Sequence, residues 1–279
     1  MTFSIVATDG TAWGVAVASK FLAVGSAVPA ARADVGAIAT QSYANLAYRP
    51  DGLALLAQGS TAQETLDALT AADEQRAQRQ AGIVDGQGGA ATFTGDECNA
   101  WAGGVTGAIE GFGYAIQGNI LTGADVIDAM QKAWLGSDPQ APFARRLLAA
   151  LFAGDTAGGD SRGRQSAALL VVTEGGGYGG QGDVSVDLRV DDHERPIPEL
   201  IRLLDIHDVF FSPNDPDEAL PLEGAVAEEV RHRLTRLGHG DADLDRALAG
   251  WAGVENLEER LVADKIDPVV LEMLRQKSP

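Results

Sequence analysis

The stretch TFSIVATDGTAWGVAVAS, residues 2–19, indicates the first structural element of the chain. Its first part, Thr2–Thr8, alternates weakly between polar and apolar residues, which is typical of a strand. Asp9 and Gly10 form a turn dipeptide, and the apolar run Ala12–Ser19 follows them. Together the two runs predict a β-hairpin. Because small residues dominate the second run, we expect that strand to pack closely against another layer.

Strands and pairs of helices alternate further along the chain. Short apolar runs bounded by turn residues predict strands, and apolar residues at helical spacing predict helices. Further strands are predicted at 35–42, 80–84, 90–93, 113–119, 166–173 and 184–190. Helices are predicted at 50–58, 61–72, 124–135, 142–153 and 198–210. Thr61 lies three residues before Glu64, the spacing of a capping box, and marks the start of a helix.

This order of elements favours a mixed α+β fold. Strands adjacent in sequence, with helix pairs between them, do not follow the βαβ repeat and indicate stacked antiparallel sheets with helices outside. A segment rich in Pro and Asp, 212–219, is a candidate linker. Helical periodicity beyond it predicts a small all-α module, so we expect domains at 1–212 and 219–279. The helices of that module are predicted at 223–237, 243–251 and 268–276.

The composition excludes several classes of function. The chain has 21 basic and 40 acidic residues and a formal net charge of −19. Such a surface repels phosphate backbones and anionic membranes, so we expect neither nucleic-acid nor membrane partners. No apolar run could span a membrane, and the start lacks the basic segment of a signal peptide. With a single cysteine, Cys98, which suits a reducing compartment, these features predict a cytoplasmic protein.

The positions of the histidines exclude two common catalytic arrangements. All four lie in the last third of the chain, and no two of them have metal-ligand spacing. We therefore predict no metal site and no cofactor. A Ser-His-Asp triad cannot form from the residues that precede the first histidine. The histidines are His193, His207, His232 and His239.

Three motifs that could indicate an active site have simpler interpretations. The segment GDSRG, 159–163, is similar to a serine-protease nucleophile loop, but no base precedes it. The segment GYGGQG, 177–182, matches a dinucleotide fingerprint, yet a strand pattern follows where that fingerprint needs a helix. We interpret it as a glycine-rich hairpin turn. Cys98 has no His or Lys nearby in sequence and is interpreted as a bystander thiol.

Thr2 can act as a nucleophile without any histidine. If Met1 is removed, the hydroxyl and the α-amine of Thr2 form a nucleophile–base pair on one residue. The pKa of an α-amine is about 7.7–8.0, so much of it can accept the hydroxyl proton near neutral pH. Lys20 ends the next strand, where its charge would favour the neutral amine and stabilise an oxyanion. The alternatives are that Thr2 simply follows the initiator methionine and has no role in catalysis, and that Lys20 is an ordinary solvated charge at a strand end.

Several long motifs resemble one bacterial family, the domain of unknown function 1028, from Thr2 to about residue 211. The family is assigned to the N-terminal-nucleophile (Ntn) hydrolase fold, which implies a four-layer α-β-β-α sandwich. Ntn enzymes cleave amide bonds with a first-residue Thr, Ser or Cys, and Thr2 occupies that place. The motifs are TFSIVATDGTAWGVAVASKF, ATQSYAN, FTGDECNAWAGG, YAIQGNIL, GGDSRGRQSAALLVV and VDLRVDDH.

The resemblance makes further polar residues candidates for the site. Lys20 falls where such enzymes carry a supporting lysine. Asn45 and Asn119 are candidate oxyanion donors, and Asp160 and Ser166 could orient the Thr2 amine. Ser42, Gln117, Arg162 and Arg164 are candidate substrate-binding residues, the arginines by pairing with a carboxylate. Each has a structural alternative: turn caps for the asparagines, an ion pair for Asp160 with Arg162, and buried backbone bonding for Gln117.

The tail resembles a peptidoglycan-binding module over about 221–275, most clearly in WAGVENLEERLVADKIDPVVLEMLR. Muropeptide recognition, self-association and packing onto the main domain remain open for it. For the main domain we expect an amidohydrolase acting on a small-molecule or peptide amide. The alternative is a catalytically silent Ntn-like scaffold that binds a small ligand or a protein partner. Small-residue surfaces favour a homodimer.

Overall fold

The computed structural model describes residues 2–109, 111–211 and 217–279. The chain divides into two compact units, which meet in sequence between Leu203 and Leu204. The predicted linker at 212–219 lies in part outside the described residues. Within the described part of the chain, no helix is long and apolar enough to cross a membrane.

The first unit contains two antiparallel sheets. Its strands are β1 (Thr2–Thr8), β2 (Ala12–Ser19), β3 (Pro29–Arg32), β4 (Gly36–Ser42), β5 (Arg79–Asp85), β6 (Ala90–Thr94), β7 (Gly103–Ile109), β8 (Phe112–Asn119), β9 (Ser166–Thr173) and β10 (Val184–Val190). Over the described residues, the larger sheet has the strand order β10-β9-β2-β1-β8-β7. The smaller sheet has the order β3-β4-β5-β6. The predicted mixed α+β class with antiparallel sheets is confirmed.

Helices pack on the outer face of each sheet. They are α1 (Tyr48–Ala57), α2 (Ala62–Ala71), α3 (Asp125–Gly136) and α4 (Phe143–Thr156). A further helix, α5 (Pro196–Phe211), runs across the division between the units. Helices α1 and α2 contact the smaller sheet, and α3 and α4 contact the larger one. The two sheets contact each other through β1, β8, β4 and β5. The layers therefore follow the order helices, sheet, sheet, helices.

The hairpin at the start of the chain forms as predicted. The Asp9 carboxylate accepts hydrogen bonds from the N–H groups of Thr11 and Ala12, at 3.0 and 2.9 Å. Gly10 has φ +86°, which glycine adopts without strain. A Cβ on Gly14 would lie 2.7 Å from the Leu147 side chain of α4. The small residues of β2 therefore allow the close approach of the helix layer that the sequence indicated.

Side-chain amides and a hydroxyl form a buried layer between the two sheets. Gln41 of β4 accepts from the Ser4 hydroxyl at 2.7 Å and donates to the Gln80 side chain at 2.8 Å. Gln117 of β8 donates to the Ser4 hydroxyl at 2.6 Å, and Asn119 donates to Gln80 at 2.8 Å. All five residues are 0–1% exposed. Because each bond joins strands of different sheets or neighbouring strands, the layer fixes the position of one sheet against the other.

Two strands of the first unit, β3 and β7, were not predicted, and neither was the short two-stranded ladder of the second unit. Both are edge strands of their sheets. The strand β3 begins with Pro29, which an edge strand tolerates because one side of it needs no ladder donors. The strand β7 has the sequence GGVTGAI, whose glycines give no alternating pattern. The edge strands β6 and β10 were predicted, so the misses follow from the short length of β3 and the glycines of β7.

The second unit is mainly helical, as predicted. Its further helices are α6 (Gly224–Arg236), α7 (Leu244–Glu255) and α8 (Pro268–Lys277), with a two-stranded ladder of β11 (Leu220–Pro221) and β12 (Lys265–Ile266). Leu234, Trp251 and Leu274 are 0–1% exposed at its core. Asp267 caps α8 and pairs with the buried Arg260 at 3.0 Å. That pair satisfies two charges that the small core buries.

Replacing Gln80 with Ala should destabilise the first unit. The change removes the acceptor of the Asn119 amide and the donor to Gly118, and it leaves buried polar groups unpaired. We expect the free energy of unfolding to fall by about 2–4 kcal/mol, measured by urea denaturation. Gln63→Ala is the matched control, because Gln63 is exposed on α2 and bonds only to Asp67. Its effect should stay within about 0.5 kcal/mol. Equal losses in the two variants would contradict this role.

Candidate active site

Four polar residues form a row at one end of the larger sheet. Thr2 pairs with Asn119 across β1 and β8, and Ser19 pairs with Ser166 across β2 and β9. The hairpin register, with Phe3 opposite Ala18, brings Ser19 beside Thr2. The order across the sheet end is therefore Asn119, Thr2, Ser19, Ser166. Three of these residues were predicted as site residues, and Ser19 was not.

Thr2 is buried, with 6% of its surface exposed. Its Oγ1 lies 3.1 Å from the Oγ of Ser19, and either hydroxyl can donate in this bond. Its carbonyl accepts a hydrogen bond from the Gln41 side chain at 3.3 Å. The Thr2 hydroxyl is thus held on one side by the neighbouring strand, while the buried amide layer holds its backbone.

A cavity of about 450 Å³ opens above the end of this sheet. This volume is within the range of small-molecule sites. Both Thr2 and Ser19 line it, and so do the ends of strands from the smaller sheet. Its lining residues are Thr2, Ser19, Phe21, Val24, Ala27, Val28, Gln41, Ser42, Tyr43, Ala44, Leu46, Arg79 and Arg162. Thr2 therefore borders a space that can hold a ligand.

Asp160 and Ser166 hold the backbone that follows β2. The Asp160 carboxylate accepts from the Lys20 N–H at 2.8 Å and from the Arg162 N–H at 2.9 Å. The Ser166 hydroxyl donates to the Phe21 carbonyl at 2.5 Å and accepts from the Val24 N–H at 3.0 Å. These bonds fix the segment that forms one wall of the cavity.

Lys20 and Arg164 lie beside the site without lining the cavity. The Lys20 ammonium donates to the Arg164 carbonyl at 3.3 Å, and its side chain is exposed. The Arg164 guanidinium donates to both carboxylate oxygens of Asp155, at 2.7 and 3.0 Å. Arg162 does line the cavity, and one of its nitrogens lies 3.3 Å from Asp160. The structure therefore separates the two predicted arginines.

Asn45 lies in a polar cluster centred on Asp73, under the opposite wall. One Asp73 oxygen accepts from Arg79 at 2.9 Å, from Asn45 at 3.0 Å and from the Tyr48 hydroxyl at 3.1 Å. The Arg79 hydrogen bond holds the pKa of Asp73 well below its usual range, against the effect of burial. Burial, with the Asp73 charge, raises the pKa of Tyr48. Arg79 also donates to the Tyr43 carbonyl at 2.5 Å, which positions the cavity wall.

Ser42 and Cys98 lie together at the edge of the smaller sheet. Ser42 has φ +68°, an uncommon backbone conformation for serine, and it lines the cavity. The Cys98 thiol donates to the Arg79 carbonyl at 3.3 Å and lies 3.5 Å from the Ser42 hydroxyl. Cys98 does not line the cavity. Gln117 also does not line the cavity and lies in the buried amide layer between the sheets.

The structure brings together only part of the predicted set. Thr2, Ser42 and Arg162 line the cavity, and Asn119, Asp160 and Ser166 hold its floor and one wall. The sequence did not indicate five further residues that line the cavity: Ser19, Gln41, Phe21, Tyr43 and Arg79. The hairpin register could have indicated Ser19, because the predicted turn at Asp9 and Gly10 aligns it with Thr2. The others depend on how the two sheets stack. Within the described residues, no group of three His, Cys, Asp or Glu side chains could hold a metal ion.

Two family models match the chain. Residues 2–200 match the "Family of unknown function (DUF1028)", and residues 209–274 match the "Putative peptidoglycan binding domain". The crystal structure of protein SPO2555 from Silicibacter pomeroyi, which the same DUF1028 model matches, is similar with a TM-score of 0.64 and 32% sequence identity. That similarity covers 81% of this chain and 92% of the other. A comparison with curated proteins finds no match.

Replacing Asp73 with Asn should destabilise the protein in a pH-dependent way. The native pKa of Asp73 is depressed, so its charge stabilises the fold above the unfolded pKa of about 3.9. This stabilisation is lost as the pH falls through the native pKa. We expect Asp73→Asn to lower the free energy of unfolding by about 3 kcal/mol at pH 7, and the gap to wild type to narrow below about pH 4. Urea denaturation across pH measures this gap. A gap that is independent of pH would refute the assignment.

Proposed function

We propose, for a chain that belongs to the family of unknown function DUF1028, that the first unit hydrolyses amide bonds with Thr2 as an N-terminal nucleophile. One observation carries the proposal. Thr2 is buried at the end of a central strand and lines a cavity of about 450 Å³, and its hydroxyl lies 3.1 Å from Ser19 Oγ. A nucleophile needs such a fixed position beside a space for its substrate.

The order of the layers also supports this proposal. The two antiparallel sheets contact each other and carry helices on their other faces, which is the order of layers that the proposed Ntn fold requires. In the proposed enzyme the nucleophile is the first residue of β1, a strand paired on both sides. Fold similarity alone does not establish an activity, so the proposal depends on the Thr2 site.

The first half-reaction transfers the acyl group to Thr2. With Met1 removed, the Thr2 hydroxyl attacks the amide carbonyl carbon and its proton passes to the neutral α-amine of the same residue. The tetrahedral intermediate then collapses, the C–N bond breaks, and the α-ammonium gives the proton to the leaving amine. Ser19 contributes by orienting the Thr2 hydroxyl, because its Oγ is the hydrogen-bond partner on the adjacent strand.

The second half-reaction releases the acid. Water attacks the ester carbonyl and gives a proton to the α-amine, and the Thr2 oxygen takes that proton when the ester bond breaks. The net change is amide and water to carboxylic acid and amine. Asn119 is the better placed oxyanion donor of the two asparagines, because it lies opposite Thr2 and only one of its two amide hydrogens is used by Gln80. Asn45 instead bonds to Asp73.

Replacing Thr2 with Ala should abolish turnover while the fold persists. We expect kcat/KM for any cleaved amide to fall by at least about 10³-fold, because the nucleophile is lost. The assay is a panel of acyl p-nitroanilides and short peptides, with products identified by mass spectrometry. Thr2→Ser keeps both the hydroxyl and the amine and should retain turnover.

The matched control is Thr11→Ala, because Thr11 lies in the hairpin turn at the far end of β1 and bonds only to Asp9. It should leave kcat/KM unchanged. If Thr2→Ala cleaves every amide that the wild type cleaves, Thr2 is not the nucleophile. If the wild type cleaves none of them but binds them, the silent scaffold is the correct description.

For the second unit we propose recognition of peptidoglycan fragments, which the family match at 209–274 supports. The full chain should co-sediment with purified peptidoglycan, and soluble muropeptides should release it. The competition with muropeptides separates specific recognition from adhesion to an insoluble particle. Recovery of all the protein in the supernatant would remove this function from the second unit.

A further inference from the structure

The charge of the candidate cavity is opposite to that of the protein. The chain carries a formal net charge of −19. Among the residues that line the cavity, all within the described part of the chain, the charged ones are Arg79 and Arg162, and none is acidic. A ligand in this space therefore meets cationic groups in a molecule whose surface repels anions.

The two arginines differ in what they offer a ligand. Arg79 is 9% exposed, and its guanidinium donates to Asp73, Gln75 and the Tyr43 carbonyl. Its charge is balanced by Asp73, so it is part of the wall. The Arg162 side chain is 45% exposed, and its ion pair with Asp160, at 3.3 Å, is longer than the Arg79 pair at 2.9 Å. Because nearly half of the Arg162 side chain is exposed and the residue lines the cavity, a ligand can reach its guanidinium.

Asp160 bonds to the backbone of Arg162 as well as to its guanidinium. The two Asp160 oxygens also accept the backbone N–H groups of Lys20 and Arg162. The carboxylate is therefore shared between the strand end and the arginine. This arrangement holds Arg162 at the cavity, beside the segment that begins after Ser19.

Apolar side chains form the other part of the cavity rim. Phe21, Tyr43 and Leu46 all line it, yet 55%, 62% and 49% of their surfaces are exposed. Large apolar side chains that are exposed around a concave site gain stability when a ligand covers them. The site thus combines one accessible cation with an apolar rim.

From these contacts we infer that the cavity selects small amides that carry a carboxylate, held by Arg162, and an apolar group, packed on Phe21, Tyr43 and Leu46. N-acylated aromatic and aliphatic amino acids have this chemistry. The inference rests on the proposed function only for the cleavage of the amide, because recognition of the carboxylate can be measured without turnover.

The test measures binding in the Thr2→Ala full-length chain, which cannot form the acyl-enzyme. The probes are N-acetyl-L-phenylalanine and its uncharged analogue N-acetyl-L-phenylalaninamide, followed by isothermal titration calorimetry. We expect the acid to bind about ten-fold or more tightly than the amide, as a charge-assisted hydrogen bond predicts. Adding Arg162→Gln should remove this preference, and Arg162→Lys should restore part of it.

Arg189→Gln in the same background is the matched control. Arg189 also pairs with an aspartate two residues before it, is 42% exposed and does not line the cavity. It should leave the preference intact. Equal affinity for acid and amide, no binding of either, or the same loss in the Arg162 and Arg189 variants would overturn the inference. If the wild type cleaved only neutral amides, carboxylate recognition would be wrong and Thr2 catalysis would stand. If it bound the carboxylate with no turnover of any amide, carboxylate recognition would stand and Thr2 catalysis would be wrong.

Discussion

The site depends on the buried amide layer that joins the two sheets. Gln41 and Gln80 of the smaller sheet bond to Ser4 and Asn119 of the larger one, and Gln41 also bonds to the Thr2 carbonyl. These groups are removed from water, so each must keep its partner. A relative shift of the sheets would break several bonds at once. The position of the first residue of β1 is therefore set by the core of the unit and not by a loop.

The cavity lies where the ends of the two sheets meet. Thr2 and Ser19 come from the larger sheet, and Gln41, Ser42 and Arg79 come from the smaller one. Each wall is held by a carboxylate that lies beside or behind it, Asp160 on one side and Asp73 on the other. In the proposed enzyme, this arrangement would fix the Thr2 hydroxyl without the help of a histidine.

Local patterns in the sequence predicted most of the strands and helices of the first unit. Three strands have the predicted bounds: Thr2–Thr8, Ala12–Ser19 and 166–173. The predicted capping box at Thr61 is also present. The strand β3 was missed because it has only four residues and begins with proline, and β7 was missed because its glycines give no alternating pattern. Thr2 could be proposed from its own chemistry, but Arg79 and Tyr43 enter the cavity through long-range stacking that no local pattern records. For the same reason the sequence could not separate Arg162, which lines the cavity, from Arg164, which pairs with Asp155.

In the proposed mechanism Thr2 provides both the nucleophile and its base, which requires a free α-amine. The most direct measurement is the intact mass, with sequencing of the first residue, of the protein purified from the cells that produce it naturally. We expect a chain that begins at Thr2, one methionine lighter than the translated sequence. A chain that retains Met1 would contradict it, because the nitrogen that must accept the hydroxyl proton would be part of a peptide bond.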